Sequence, residues 1–139
     1  MKLLKSFEVV CLSIISLCIA TGCGDSGGSD QPDLGTVTGV VTMDGQPLAN
    51  VTVTFSPENG RPSIARTDEA GNYELGYLAE TKGAVIGKHT VSIITPQENP
   101  TPPGQVYKDP IPAKYNDQTT LSADVKEGAN TFDFQLESK

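Results

Sequence analysis

Beyond residue 35, apolar and polar residues alternate along the chain in short stretches that turn sequences separate. In the clearest stretch, Val51–Pro57, valine and phenylalanine occupy one face while threonine and serine occupy the other. Period-two alternation is typical of half-buried antiparallel strands. The pattern predicts seven strands, at Thr36–Met43, Val51–Pro57, Ser63–Thr67, Asn72–Leu78, Lys88–Thr95, Thr120–Val125 and Asn130–Leu136.

Turn sequences containing glycine lie between several of these strands. The segment Asp68–Gly71 predicts a hairpin that joins the third strand to the fourth, and Glu127-Gly128 predicts the turn before the last strand. Seven short strands and no long helical pattern predict an all-β fold. We therefore expect residues 35–139 to form one seven-stranded antiparallel β-sandwich, in which Gly39 permits either close approach of a neighbouring strand or a bulge.

Proline interrupts the alternation between Thr95 and Gln118, where six of the ten prolines occur. Such a stretch cannot form a strand ladder, so the range 95–118 is predicted to be a long loop. Its second half carries enough apolar residues, from Val106 to Tyr115, to pack back on the sandwich. Two interpretations remain open: a structural or mobile loop, or a binding loop that uses Tyr107 and Tyr115.

The first 22 residues have the order of a secretory signal peptide. Lys2 and Lys5 precede an apolar run at Val9–Ala20, which small residues follow. As a helix the run would span about 18 Å, which is short of the about 30 Å of a bilayer core. Residues 23–34 are rich in Gly, Ser and Asp and are predicted to be a flexible tether.

Charge and cysteine content narrow the function classes. The net charge is -7, with 10 basic and 17 acidic residues, which argues against binding nucleic acid through its phosphates. Of the three cysteines, Cys11 and Cys18 lie in the apolar run and would leave with the signal peptide. Cys23 would then be the only cysteine of the mature chain, so no intramolecular disulfide is expected.

The segment Ala20-Thr21-Gly22-Cys23 resembles the lipobox of bacterial lipoproteins. This resemblance implies cleavage between Gly22 and Cys23 and acylation, including palmitate, of Cys23. The partner would then be a membrane, reached through the lipid anchor at Cys23, with the domain on its periplasmic face. Gly24 after the cysteine favours the outer membrane in such proteins. Soluble export is the alternative.

Several segments together resemble the carboxypeptidase regulatory-like domain, a transthyretin-like (prealbumin-like) sandwich. Residues 111–136 are also similar to the tail of single-domain lipoproteins of planctomycete-type bacteria. The resemblance implies a non-catalytic module for folding, interaction or presentation. Its motifs are VTGVV at 37–41, DGQPL at 44–48, VTVTF at 51–55, TDEAGNY at 67–73 and GKHTVSI at 87–93.

Few residues of the sequence are candidates for catalysis or metal binding. His89 is the only histidine, and its parity with Val91 and Ile93 predicts a position in the core or at its rim. If the protein were an enzyme, its catalytic site would have to include His89. We predict no catalytic residues, no metal and no cofactor. Asp68, Glu69 and Asn72 leave a calcium site open as an alternative to a solvated turn.

These observations predict a non-enzymatic lipoprotein of the cell envelope whose sandwich has a structural or protein-interaction role. An envelope protein would then be its partner, since the edge strands of a sandwich can pair with a partner's strand. The alternative is a module that binds a glycan or another small ligand, with envelope polysaccharide as partner, through the loop at 95–118.

Overall fold

The computed structural model describes residues 30–139. Most of the predicted tether and the whole predicted signal peptide, including Gly22 and Cys23, lie outside the described residues. Twelve strands and a single one-turn 3-10 helix, Ala113–Tyr115, occur in the described part. The strands are β1 Leu34–Met43, β2 Gln46–Pro47, β3 Thr52–Pro57, β4 Ser63–Arg66, β5 Asn72–Glu74, β6 Gly76–Leu78, β7 Thr81–Lys82, β8 Ala84–Val85, β9 Gly87–Ile94, β10 Ser122–Val125, β11 Ala129–Thr131 and β12 Phe134–Leu136.

The strands form two sheets. In the first, β1 is the longest strand, and β2, β5 and β8 pair with it antiparallel at successive parts of its length. The last two strands, β11 and β12, pair with β1 in parallel. The second sheet is antiparallel throughout, in the order β10-β9-β3-β4-β6-β7. The predicted all-β sandwich is confirmed, although its strands are shorter and more numerous than the alternation indicates.

The core lies between the two sheets and consists of the inward positions of the alternating stretches. Phe55 is fully buried, and its ring centroid lies 5.7 Å to 6.5 Å from those of four other aromatic residues. Tilted and edge-on aromatic pairs at such distances add to the stabilisation from burial. The four rings belong to Tyr73, His89, Phe132 and Phe134.

The predicted hairpin between Ser63–Thr67 and Asn72–Leu78 is confirmed only in part, because the second of these stretches divides between the sheets. Its first part, β5, pairs with β1 in the first sheet, whereas β6 pairs with β4 in the second. Leu75, between them, is fully buried. Alternation could not reveal this crossing, since the side chains of Tyr73 and Leu75 point into one core from either sheet.

The predicted last strand, Asn130–Leu136, is also interrupted. Phe132 and Asp133 leave the ladder, and the Asp133 carboxylate accepts the backbone N–H of Val40 at 2.9 Å. The N–H of Phe132 still donates to the Thr38 carbonyl at 2.9 Å. A side chain therefore replaces one backbone acceptor of the ladder, as often happens at an irregularity in a strand.

The sandwich has two ends, which strand register defines. At the N-terminal pole, Leu34 pairs with Val85, and Gly87 pairs with Val125. At the loop pole, Thr52 pairs with both Ile94 and Arg66, and β1 reaches its end at Met43. The chain thus begins its first strand at one pole, whereas the proline-rich loop leaves β9 at the other.

Candidate functional site

A groove of about 620 Å³ lies at the loop pole, between the proline-rich loop and the ends of β3 and β4. Its walls include Asn50, Arg66, Glu98, Tyr107 and Lys108. Ligand sites commonly have volumes of about 300–1,000 Å³ and combine apolar walls with a few polar groups. The groove is therefore the candidate functional site.

The base of the loop is tied to the sandwich by Asp109. Its two carboxylate oxygens accept the backbone N–H groups of Thr95 and Ile111, each at 2.9 Å. The Tyr107 hydroxyl donates to the Thr95 carbonyl at 3.2 Å. Ile111 is buried against the core, as the apolar content of this half predicts. These contacts fix where the loop leaves and rejoins the sandwich, and so they fix the walls of the groove.

Tyr107 is the predicted binding residue that the structure puts at the groove. Its side chain is 42% exposed, and the adjoining Val106 is 94% exposed. Val106 thus does not pack back on the sandwich, contrary to expectation. Partial desolvation, with a further contribution from the Asp109 carboxylate, raises the pKa of Tyr107. Its hydroxyl therefore stays protonated at neutral pH and remains a donor.

Tyr115, the second predicted binding residue, does not line the groove. It lies in the 3-10 helix, packs against the core, and accepts the backbone N–H of Glu137 at 3.0 Å through its hydroxyl oxygen. The Lys114 ammonium lies 5.0 Å from the centroid of its ring. The contacts of Tyr115 are those of a residue that holds the C-terminal segment, and the structure does not bring it together with Tyr107.

Arg66, Asn50 and Glu98 are groove residues that sequence reasoning missed. Arg66 ends β4, Asn50 precedes β3 with a φ of 58°, and Glu98 lies in the loop. No local motif joins them, because only the register of β3 with β4 and β9 brings these segments to one pole. The one sequence signal that could have indicated this site was Arg66, a charged residue that points outward at the end of a strand.

His89 lies in the core, 1% exposed, as its parity predicts. Its Nε2 lies 2.6 Å from the Val85 carbonyl oxygen, so Nε2 carries the proton and donates. Its Nδ1 has no hydrogen-bond partner within residues 30–139. Its ring packs against Phe55. His89 does not line the groove.

The turn at Asp68 is satisfied by its own residues. The Asp68 carboxylate accepts the N–H groups of Ala70 and Asn72 at 2.9 Å and the Asn72 side-chain amide at 3.3 Å. The hydrogen bond from the Asn72 backbone is the main cause that lowers the pKa of Asp68. Within residues 30–139 no group of three or more His, Cys, Asp or Glu side chains could hold a metal ion. These hydrogen bonds fit the turn interpretation, since residues of the turn itself supply the donors for the Asp68 carboxylate.

Comparisons with known proteins found a similar solved structure. No family model matches the chain, and no curated protein matches it. A solved structure of a DUF3823 family protein from Parabacteroides merdae ATCC 43184 is similar, with a TM-score of 0.44 and 15% sequence identity. The similarity covers 76% of this chain and 46% of that one, so this chain spans under half of the neighbour's length.

Membrane association and family membership remain predictions. Among residues 30–139 there is no helix of the length and apolar character needed to span a bilayer. The carboxypeptidase regulatory-like resemblance rests on the sequence motifs, and the two packed sheets are the part of that prediction which the structure bears out.

Proposed function

We propose that this chain is a non-enzymatic lipoprotein of the bacterial cell envelope. Lipid on Cys23 anchors it, and a carboxypeptidase regulatory-like sandwich acts as its structural or protein-interaction module. The observation that carries the proposal is the position of Leu34, which begins β1 at the N-terminal pole. Only residues 24–33 separate Leu34 from Cys23 in the sequence. An anchor there leaves both sheets and the whole loop pole free.

Two further observations support this role. The edge strands β10 and β7 of the second sheet each pair on one side only within the described part of the chain. Such edges can add a strand from a partner protein through backbone hydrogen bonds. The burial of His89 supports a non-enzymatic role, because an enclosed imidazole cannot exchange protons with a substrate at the surface.

The anchor is tested by metabolic labelling with a palmitate analogue. We expect the wild-type chain to be labelled and Cys23→Ser to lose the label, because the acylated thiol is gone. Cys18→Ser is the matched control, since it removes another thiol from the same region and should keep the label. Equal labelling of wild type and Cys23→Ser would contradict the anchor and favour soluble export.

A second candidate function is binding of a glycan or another small ligand in the groove. The specific observation in its favour is that Tyr107, half exposed, shares the groove with charged and amide side chains. This role is compatible with the lipid anchor, because the groove lies at the pole opposite Leu34.

Deletion of Gln97–Gln105 tests this second function. The deletion removes one wall of the groove but keeps Thr95, Tyr107 and Asp109, which tie the loop to the sandwich. We expect wild-type protein to be retained on immobilised envelope polysaccharide and the deletion variant to pass through, with an unchanged thermal unfolding midpoint. Undiminished retention of the variant would argue against a ligand site at this loop.

A further inference from the structure

The charge of the groove differs from that of the whole chain. The chain carries -7, yet the charged side chains that line the groove are two cations, Arg66 and Lys108, and one anion, Glu98. With the Asp109 carboxylate beside Thr95 and Tyr107, the charges at the groove balance, so this place repels anionic groups less than the acidic chain does as a whole. The feature that favours an anionic ligand is therefore the individual cation Arg66, whose side chain is exposed at the groove.

Arg66 is held by a weak internal partner. One guanidinium nitrogen lies 3.5 Å from a Glu98 carboxylate oxygen, and the two side chains are 53% and 78% exposed. The ion pairs Lys82–Glu74 and Lys126–Asp124 are closer, at 2.6 Å. Solvent-exposed ion pairs contribute little to stability. A ligand carboxylate that reaches Arg66 with two parallel hydrogen bonds would replace Glu98 with better geometry.

The remaining walls fit a sugar. The Tyr107 ring is held in place by the hydrogen bond from its hydroxyl to Thr95, and it offers a rigid apolar face. Asn50, Asn99 and Gln105 also line the groove with exposed side chains, and amides both donate to and accept from hydroxyl groups. The C–H face of a sugar ring and its hydroxyls require this combination. The groove is open to solvent, which suits a segment of an extended polymer.

We propose that the groove binds an acidic oligosaccharide, in which a uronate carboxylate pairs with Arg66 and a sugar ring stacks on Tyr107. Glu98 pairs with Arg66 in the unliganded state and is displaced when the ligand carboxylate binds. This inference rests on the second candidate function, ligand binding at the loop.

The experiment measures the affinity of the full-length, detergent-solubilised chain for three probes by calorimetric titration. These are tetragalacturonate, its fully methyl-esterified form and tetraglutamate. We expect the wild type to bind tetragalacturonate about tenfold more tightly than the methyl ester, because esterification removes the charged acceptors of Arg66. Tetraglutamate should bind more weakly than tetragalacturonate, because it offers no sugar ring to Tyr107.

Variants separate the individual contributions. Arg66→Gln should lower the affinity for tetragalacturonate to that for the ester, and Glu98→Gln should raise it several-fold. Tyr107→Ala should weaken the binding of both saccharides. Arg61→Gln makes the same change in charge at the exposed turn before β4 and should leave all affinities unchanged.

Each contrary outcome has a distinct meaning. Equal binding of the acid and the ester, unaffected by Arg66→Gln, would overturn the acidic ligand while leaving a ligand groove in place. Equal binding of tetraglutamate and tetragalacturonate would overturn the saccharide. Failure of the wild type to bind any of the three probes would overturn the inference, whereas the second candidate function is decided by the retention of the Gln97–Gln105 deletion variant on envelope polysaccharide.

Discussion

Replacing Gly39 with alanine should destabilise the sandwich by about 3 kcal/mol or more. An alanine Cβ at this position would overlap the carbonyl oxygen of Phe132 and lie 2.8 Å from Cε1 of Tyr73. The Phe132 backbone cannot move away freely, because its N–H donates to Thr38 on β1. The change therefore forces β1 apart from the C-terminal segment. Urea unfolding followed by circular dichroism measures the loss.

Gly76→Ala is the control for this prediction. Gly76 also lies in a strand, but a Cβ there would meet its nearest neighbour, the Ile64 carbonyl oxygen, at an ordinary 3.6 Å. Its substitution should change the free energy of unfolding by less than about 1 kcal/mol. Similar losses in the two variants would show that the close approach at Gly39 is not the cause of the destabilisation.

Replacing Tyr73 with phenylalanine should lower the free energy of unfolding at neutral pH by about 1–2 kcal/mol. The variant should also lose less stability than the wild type when the pH becomes alkaline. The buried hydroxyl donates to the Phe132 carbonyl oxygen at 2.6 Å. The phenylalanine variant keeps the ring contacts with Phe55 and Phe134 but leaves this carbonyl without its donor. Equilibrium unfolding at neutral pH measures the cost, and a loss well below this range would contradict a role for the hydrogen bond.

The alkaline behaviour follows from ionisation of the Tyr73 hydroxyl. Burial, with a further contribution from the Asp133 carboxylate, raises the pKa of Tyr73 well above its ordinary value. The unfolded chain ionises first, so the stabilisation is complete below about pH 10 and is lost as the pH rises further. Urea midpoints at pH 8 to 11 should fall in wild type and in Tyr77→Phe, the control. They should fall less in Tyr73→Phe, and an equal fall in all three would contradict this mechanism.

The inward positions could be predicted from the sequence because alternation is a local property. Val37, Val41, Val53 and Phe55 are fully buried, as their parity requires. Strand pairing could not be predicted in the same way. The crossing at Leu75 and the replacement of a backbone acceptor by Asp133 depend on contacts between distant segments, which no local pattern encodes.

The candidate site was predictable only in part. Proline content identified the loop, and the exposed tyrosine in it, Tyr107, does line the groove. Tyr115 belongs to the same proline-rich loop as Tyr107, yet it lies in the 3-10 helix and contacts the core and the C-terminal segment. Arg66 became part of the site because β3 lies between β4 and β9, an order that only the folded sheet provides.

Leu34 and the groove lie at opposite poles, and this determines how far a ligand in the groove lies from the attachment point of the tether. The ten residues of β1 span about 30 Å from one pole to the other. In a protein attached by Cys23, the groove would therefore lie about that far from the point where the tether joins the sandwich. On the predicted flexible tether, the groove would then reach ligands farther from the lipid than the N-terminal pole could.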